Sequence, residues 1–256
     1  MKNQIINDII GFHIPFIIAG PCAVEDYDMM DKIVKYLVEK HITVIRAGAF
    51  KPRTSPNDFQ GLGTKGLKIL NEIRSKFNVK VVSEIVDTKF IDIMCENVDI
   101  LQVGARNMHN FELLKEIGKI KTPVILKRGM SATIEEFKCA AEYIMVGGNQ
   151  NIILCERGVR SFDKSTRNLL DLSCVAIIKK ETKLPILVDI SHSLGRKDIA
   201  VEITKAALAV GADGIMVEVH NNPDMALSDP IQQMSIMEFD NYYNELIYQS
   251  NSGDVW

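Results

Sequence analysis

Arg46, Lys51 and Arg53 place three positive charges within eight residues, in Arg46-Ala47-Gly48-Ala49-Phe50-Lys51-Pro52-Arg53-Thr54-Ser55-Pro56. Pro52, Pro56 and Gly48 keep this stretch out of a helix, and the apolar run at 43–45 before it reads as a buried strand. A rigid basic loop at a strand end suits a small phosphorylated ligand. Arg106, Lys127 and Arg157 follow apolar runs in the same way. Arginine grips phosphate or carboxylate through paired N–H donors, and lysine supplies a compact charge. Six such groups at one mouth would repel one another without anions. They call for a ligand with several negative charges, which two phosphates would supply. A second set, Cys22, His192, Glu218 and Asp229, combines a thiol, an imidazole and two carboxylates. That mixture suits one divalent transition metal, Mn, Fe, Co or Zn, without choosing among them. Taken singly, Cys22 reads as a small buried residue, His192 as a satisfied histidine, and Asp229 as the cap of a helix starting near Pro230.

These residues need elements to bring them together. Short β-branched runs recur at 16–19, 43–45, 80–83, 100–103, 124–126, 152–154, 186–188 and 215–217, separated by segments long enough for a loop and a helix. Helical spacing of apolar residues marks 31–40, 65–76, 133–145, 166–179 and 198–210. Ser131 or Thr133 can open one helix with Glu135 and Glu136 in its first turn, and Gly147-Gly148 and Gly211 can close two. Strand alternating with helix eight times predicts a parallel sheet closed into a (β/α)8 TIM barrel of the α/β class. A doubly wound sheet is the alternative, but no Gly-rich dinucleotide fingerprint follows the first strand. In such a barrel the site lies at the C-terminal strand ends. Reading there gives Cys22, Arg46 and Lys51, Glu84, Gln102 and Arg106, Lys127, Glu156 and Arg157, Asp189 and His192, and Glu218. The expected organisation is an N-terminal extension or hairpin over 1–14, a single barrel domain over 15–249, and a poorly ordered tail over 250–256.

A chain of 256 residues can bury a large core. Its net charge of −3 argues against a nucleic-acid or membrane-surface role, so any basic site is local. No apolar run approaches the roughly 18 residues of a spanning helix, and the first residues lack a signal-peptide layout. Five cysteines, with no CxxC pair, fit reduced thiols in a cytoplasmic protein.

Seven motifs, in order, carry a resemblance. They are Ala19-Gly20-Pro21-Cys22; Lys51-Pro52-Arg53-Thr54-Ser55-Pro56 with Phe59-Gln60-Gly61-Leu62-Gly63; Val103-Gly104-Ala105-Arg106; Leu126-Lys127-Arg128-Gly129; Cys155-Glu156-Arg157-Gly158; Asp189-Ile190-Ser191-His192; and Val217-Glu218-Val219-His220 followed by Ala226-Leu227-Ser228-Asp229. The chain resembles 3-deoxy-D-arabino-heptulosonate 7-phosphate (DAHP) synthases of the short type I beta form. The resemblance implies a transferase that condenses phosphoenolpyruvate with erythrose 4-phosphate and water, giving DAHP and phosphate, at the start of the shikimate pathway to chorismate and the aromatic amino acids. It implies that Arg106, Lys127 and Arg157 hold the phosphoenolpyruvate phosphate, that Arg46 and Lys51 face its carboxylate and reacting end, and that Arg53 and Thr54 hold the sugar phosphate. Cys22, His192, Glu218 and Asp229 would bind the metal. Lys51, Glu84, Lys127 and Asp189 would serve the chemistry.

Departures from the resemblance are Ile190 for a frequent proline, Lys197 for an arginine and Pro230 for a glycine after Asp229. Relatives often carry an added regulatory or chorismate mutase domain. The expectation here is an unregulated enzyme or one controlled by a separate mutase, and a homo-oligomer, dimer or tetramer. A sister enzyme, 3-deoxy-D-manno-octulosonate 8-phosphate synthase, uses arabinose 5-phosphate and typically has Ala-Asn-Arg after the loop lysine, where this chain has Pro52-Arg53-Thr54. A sialic-acid-type synthase fits less well. A non-catalytic, partner-binding barrel would not need the full set of phosphate and metal residues.

Overall fold

Each apolar run forms a parallel strand: β1 (Phe16–Gly20), β2 (Val44–Arg46), β3 (Lys80–Ile85), β4 (Ile100–Val103), β5 (Val124–Lys127), β6 (Ile152–Glu156), β7 (Ile186–Asp189) and β8 (Gly214–His220). They pair in sequence order, and β1 pairs with β8, which closes a (β/α)8 barrel. A two-residue strand, β9 (Met234–Ser235), continues in parallel from Val219 and His220. The helices are α1 (Tyr27–Glu39), α2 (Thr64–Phe77), α3 (Ile91–Asn97), α4 (Phe111–Gly118), α5 (Ile134–Val146), α6 (Leu172–Glu181), α7 (Ile190–Leu194), α8 (Ala200–Ala209) and α9 (Ile236–Asn251). The computed structural model describes Ile9, residues 16–53 and residues 55–251. Among the described residues no helix is long and apolar enough to cross a membrane.

Two apolar layers hold the barrel. The outer one packs strands against helices, with Ile45, Val81, Leu101, Leu126, Leu154, Val188 and Val217 meeting Leu37, Leu70, Phe137 and Val175. The inner one fills the barrel with Phe16, Ile18, Val44, Val82, Ile100, Ile125, Ile153, Cys155, Leu187 and Met216. Successive residues on a strand face opposite sides. Two positions beyond these inner residues, on the same inward face, come Arg46, Glu84, Gln102, Lys127, Arg157, Asp189 and Glu218. One pleat therefore separates an apolar floor from an ionised ceiling. Apart from Glu84, every member of that ceiling is buried.

The predicted runs and the strands differ mostly at one end. β2, β5, β6 and β7 continue past the predicted run to end on a charged residue, β3 and β8 run on through Glu84 and Glu218, and β1 gains Gly20. Hydrophobicity stops there, but the hydrogen-bonded ladder does not: Lys127 still pairs with Cys155, Glu156 with Val188, and Asp189 with Met216. Thr133 caps α5 through a reciprocal bond pair with Glu136, as its spacing predicts. The helix expected over 166–179 begins only at Leu172, after the cap Asp171. Its expected first turn is drawn into other pairings: Arg167 and Asn168 N–H donate to the carbonyls of Leu194 and Ser193, and Leu169 bridges Val159. Helix α9 reaches Asn251, inside the expected tail, while 252–256 and all of 1–14 except Ile9 lie outside the described residues. Ile9 packs against the inner layer.

Gly20 ends β1 with φ +144°, and a Cβ there would lie 2.1 Å from the Arg46 carbonyl oxygen. Both backbone and neighbour forbid a side chain. Gly20→Ala should cost at least about 2 kcal/mol of stability, read as a lowered midpoint in denaturant unfolding; an unchanged midpoint would contradict this packing.

Candidate active site

Asp189 is the meeting point of the ceiling. It ends β7 and caps α7: Oδ1 accepts the His192 backbone N–H at 2.9 Å, and Oδ2 accepts from His192 Nδ1 at 2.8 Å. The same Oδ2 pairs closely with Lys127 Nζ and lies 3.9 Å from Arg46 Nη1. Burial alone would raise its pKa, but His192, Lys127 and Arg46 outweigh burial and hold the carboxyl well below its ordinary value. His192 moves the other way: burial lowers its pKa against the pull of Asp189 and Glu218. A neutral ring with Nδ1–H on a carboxylate leaves the Nε2 lone pair free. Nε2 faces Glu218 Oε1 at 3.7 Å and Asp229 Oδ2 at 3.9 Å.

Glu218 is wholly buried at the end of β8. Its backbone N–H donates to Ser191 Oγ at 2.8 Å, and its Oε2 accepts from Gln232 Nε2 at 2.5 Å. Oε1 lies 3.0 Å from Arg46 Nη2 yet accepts no well-aligned hydrogen bond. Despite burial, which opposes ionisation, His192 and Arg46 keep Glu218 below the usual carboxylate range.

Cys22, Glu218 and Asp229 offer ligand atoms that all lie within 4.8 Å of one another. Cys22 Sγ is 3.0 Å from Ser228 Oγ, 3.4 Å from Asp229 Oδ2 and 3.0 Å from Lys51 Nζ. Burial pushes the Cys22 thiol up to about 12, with Glu218 and Asp229 adding to the effect. The residues fit a divalent cation. A thiol and two carboxylates converge, a histidine nitrogen is oriented toward them by a carboxylate, and one buried Glu218 oxygen is left without a donor. Asp229 reaches this cluster from a left-handed backbone, φ +49°, followed by Pro230.

The cations divide by surroundings. Lys51 and Arg46 line a narrow cleft with Cys22, Glu84 and Gln102. Arg46 keeps Nε and Nη1 buried without hydrogen-bond acceptors. Arg157 is 4% exposed and, among the described residues, donates to the carbonyls of Gly158 and His192. Burial lowers its pKa. Arg53 lies nearby, with Nη2 2.5 Å from Ser228 Oγ and Nε on the Phe59 carbonyl. Arg106 sits exposed in the turn after β4, and Thr54 lies outside the described residues. The expected mutual repulsion of cations is tempered, because Asp189 stands between Arg46 and Lys127 and Glu218 pairs with Arg46. Glu156 faces outward, unlike its neighbour Arg157. It pairs with Arg128 Nη1 at 3.0 Å and accepts the Gly158 N–H at 2.7 Å. Asp171 joins from the start of α6, 2.8 Å from Arg128. This buried network fixes the outer wall behind Lys127 and Arg157.

Several residues of the site are uncharged, and the sequence alone gives them no role, although Ser191 and Ser228 stand within its motifs. Ser191, Ser228, Asn168, Gln232 and Gln233 hold ligand-bearing backbone or side chains in place. Outside those motifs, the sequence signal is a pair of adjacent glutamines shortly after Asp229.

Comparison with known proteins identifies the family and supports the fold. The profile described as the DAHP synthetase I family matches residues 3–251. A phospho-2-dehydro-3-deoxyheptonate aldolase of Thermotoga maritima is 51% identical over 230 residues, covering 90% of this chain and 68% of the relative. A 2-dehydro-3-deoxyphosphooctonate aldolase of Francisella tularensis is 33% identical over 246 residues, 88% of each chain. The crystal structure of the Thermotoga maritima DAHP synthase superposes with a TM-score of 0.88 at 48% identity, covering 93% of this chain and 69% of that one. A truncated form of the synthase from that organism gives 0.85 at 46% identity, covering 93% and 87%. The shared fold, the matched profile and the identity to the heptonate enzyme agree: the chain belongs to the DAHP synthetase I family and is an enzyme, a transferase of the DAHP synthase kind.

Proposed function

We propose that this enzyme condenses phosphoenolpyruvate with erythrose 4-phosphate and water to give DAHP and phosphate, with a divalent metal held by Cys22, His192, Glu218 and Asp229. The observation that carries the reading is a pair of underused buried arginines. Arg157 makes no ion pair among the described residues, and Arg46 has two buried donor nitrogens without acceptors. A buried guanidinium left so poorly satisfied is costly unless an anion completes it. Both lie in the same ceiling as the Cys22–Glu218–Asp229 cluster, so an anionic substrate bound there would meet the metal.

In this reading Lys127 and Arg157, with Arg106 at the rim, take the phosphoenolpyruvate phosphate. Arg46 and Lys51 face the carboxylate and the reacting end. Arg53 and Thr54 take the sugar phosphate, a role supported by the contact of the Arg53 side chain with Ser228, next to Asp229. When bound, the metal supplies Lewis acidity toward the sugar aldehyde. C3 of phosphoenolpyruvate forms the new carbon–carbon bond, which leaves positive character at C2. Water adds at C2, and the C–O bond to phosphate then breaks. Glu84 and Lys127 are positioned to orient that water and move its proton. Asp189 keeps the His192 proton on Nδ1 and balances Lys127. Holding two polyanions against buried cations supplies much of the rate, because in water they repel.

Phosphate release should occur with erythrose 4-phosphate, disappear after chelation and return with Mn2+. Arabinose 5-phosphate should support at least about 100-fold less, since a misfitting sugar leaves buried polar groups unpaired. Preferential use of arabinose 5-phosphate would move the chain to the octulosonate branch represented by the 33% relatives. Full activity in protein shown to be metal-free would remove the metal from the reaction. Lys51→Ala should lower kcat by about 10²–10³-fold or more, with an unchanged circular dichroism spectrum; near-normal turnover would refute its role.

A further inference from the structure

Asp229 presents a puzzle of backbone energetics. It holds φ +49°, a conformation that costs a non-glycine residue energy and persists only where the surroundings impose it. The residues that impose it are two adjacent, buried glutamines. Gln233 is 0% exposed, and its side chain makes two hydrogen bonds in opposite directions. Oε1 accepts the Cys22 backbone N–H at 2.8 Å, and Nε2 donates to the Ser228 carbonyl at 2.8 Å. One amide thus ties the end of β1, where Cys22 sits, to the residue before Asp229, more than 200 positions away in sequence. Gln232 points the other way. Its Nε2 reaches Glu218 Oε2 at 2.5 Å and Asp229 Oδ2 at 3.4 Å, and its Oε1 accepts from Arg167.

The base of this strap is fixed. Immediately after Gln233, β9 pairs with the end of β8, so the glutamines are anchored to the strand that carries Glu218. The far end is fixed as well, because Glu25 Oε1 accepts the Leu227 N–H at 2.8 Å. Between these anchors, the bond from Gln233 to the Ser228 carbonyl closes residues 228–233 into a ring. That ring leaves Asp229 little choice but the left-handed turn.

We propose that Gln233 is a positioning residue that sets the separation of Cys22 and Asp229 and thereby preforms the cation site. The inference rests on the metal reading above and extends it. Cys22 and Asp229 come from opposite ends of the chain, and no backbone pairing joins residue 22 to residues 228–229. The amide of Gln233 supplies that link. Removal of an outer partner of this kind lowers metal affinity by about 10–100-fold in other proteins.

The test is divalent-cation affinity of the full chain, measured by calorimetry with Mn2+ and by the thiolate charge-transfer band of the Co2+-loaded protein. Gln233→Met keeps the volume and removes both hydrogen bonds. It should weaken Mn2+ binding about 10–100-fold and diminish or shift the Co2+–thiolate band. Asp229→Ala should weaken binding at least as much, and the two losses should be less than additive in the double variant, since Gln233 acts in part through Asp229. Phosphoenolpyruvate binding by the metal-free protein should stay within about twofold of wild type, which a general collapse of the barrel mouth would not allow. If Gln233→Met does not fold, Gln233→Asn, which withdraws the amide by one methylene, should give the same direction of change. Wild-type Mn2+ affinity and an unaltered Co2+ band in a folded Gln233 variant, alongside weakened binding in Asp229→Ala, would overturn the proposal and leave the metal reading standing. Wild-type affinity in both Cys22→Ala and Asp229→Ala would overturn the metal reading and this proposal with it.

Discussion

A charge placed where water cannot reach must be faced by an opposite charge or by a ligand. That constraint governs the upper layer of this barrel. Asp189, wholly buried, answers Lys127, Arg46 and the His192 ring with one carboxylate, and it caps the short helix that carries His192. Glu218 answers Arg46 from the neighbouring strand. The pairing is incomplete on both sides: Glu218 Oε1 lacks a well-aligned donor, and the arginines are not fully paired. Arg157 has carbonyl acceptors but no carboxylate among the described residues, and Nε and Nη1 of Arg46 have no hydrogen-bond acceptor, so this layer favours an added anion. The same residues that would bind substrate are kept charged and oriented by those that would not touch it.

The rest of the structure divides the work between two faces of the strands. Inward residues carry the charges. Outward residues hold the wall still, as Glu156, Arg128 and Asp171 do beside Lys127 and Arg157. Small residues keep the layers close: Gly20 lets Arg46 approach β1, and Gly104 leaves room for the Glu84 carboxylate, which a Cβ would meet at 1.9 Å. Beyond the strands, the strap of residues 228–233 brings a late segment of the chain onto the end of the first strand. Rigid elements present most of the site, and Asp229, on a loop, is held within the ring that Gln233 closes.

Much of this was legible in the sequence because two physical signals are strong. Buried strands need apolar β-branched runs, and eight such runs spaced for helices allow few architectures. Charged residues directly after those runs are conspicuous, which brought Arg46, Lys127, Asp189 and Glu218 to notice. The illegible parts have reasons as well. Strands continue through Lys127, Glu156 and Asp189 because pairing does not need apolar side chains, so the runs end early. Parity separates Glu156 from Arg157, a distinction lost when both are simply placed at a strand end. Arg106 shares the position of the other cations but stands in a turn after its strand, exposed. Helix periodicity over 166–171 was outbid by hydrogen bonds to Ser193 and Leu194, which no local pattern encodes. Glutamines and serines give no spacing signal, so the roles of Gln232, Gln233, Ser191 and Ser228 emerge only when the chain is folded, although both serines stand within the motifs.

The most direct test of the central claim, that the unanswered arginines form the substrate's anion site, is a crystal structure of the protein with phosphoenolpyruvate. The account predicts the phosphate against Lys127 and Arg157 and the carboxylate against Nε and Nη1 of Arg46, with Asp189 and Glu218 still paired as in the unliganded protein. Phosphoenolpyruvate bound elsewhere, or bound in the barrel mouth while those arginine donors stay without acceptors, would contradict it.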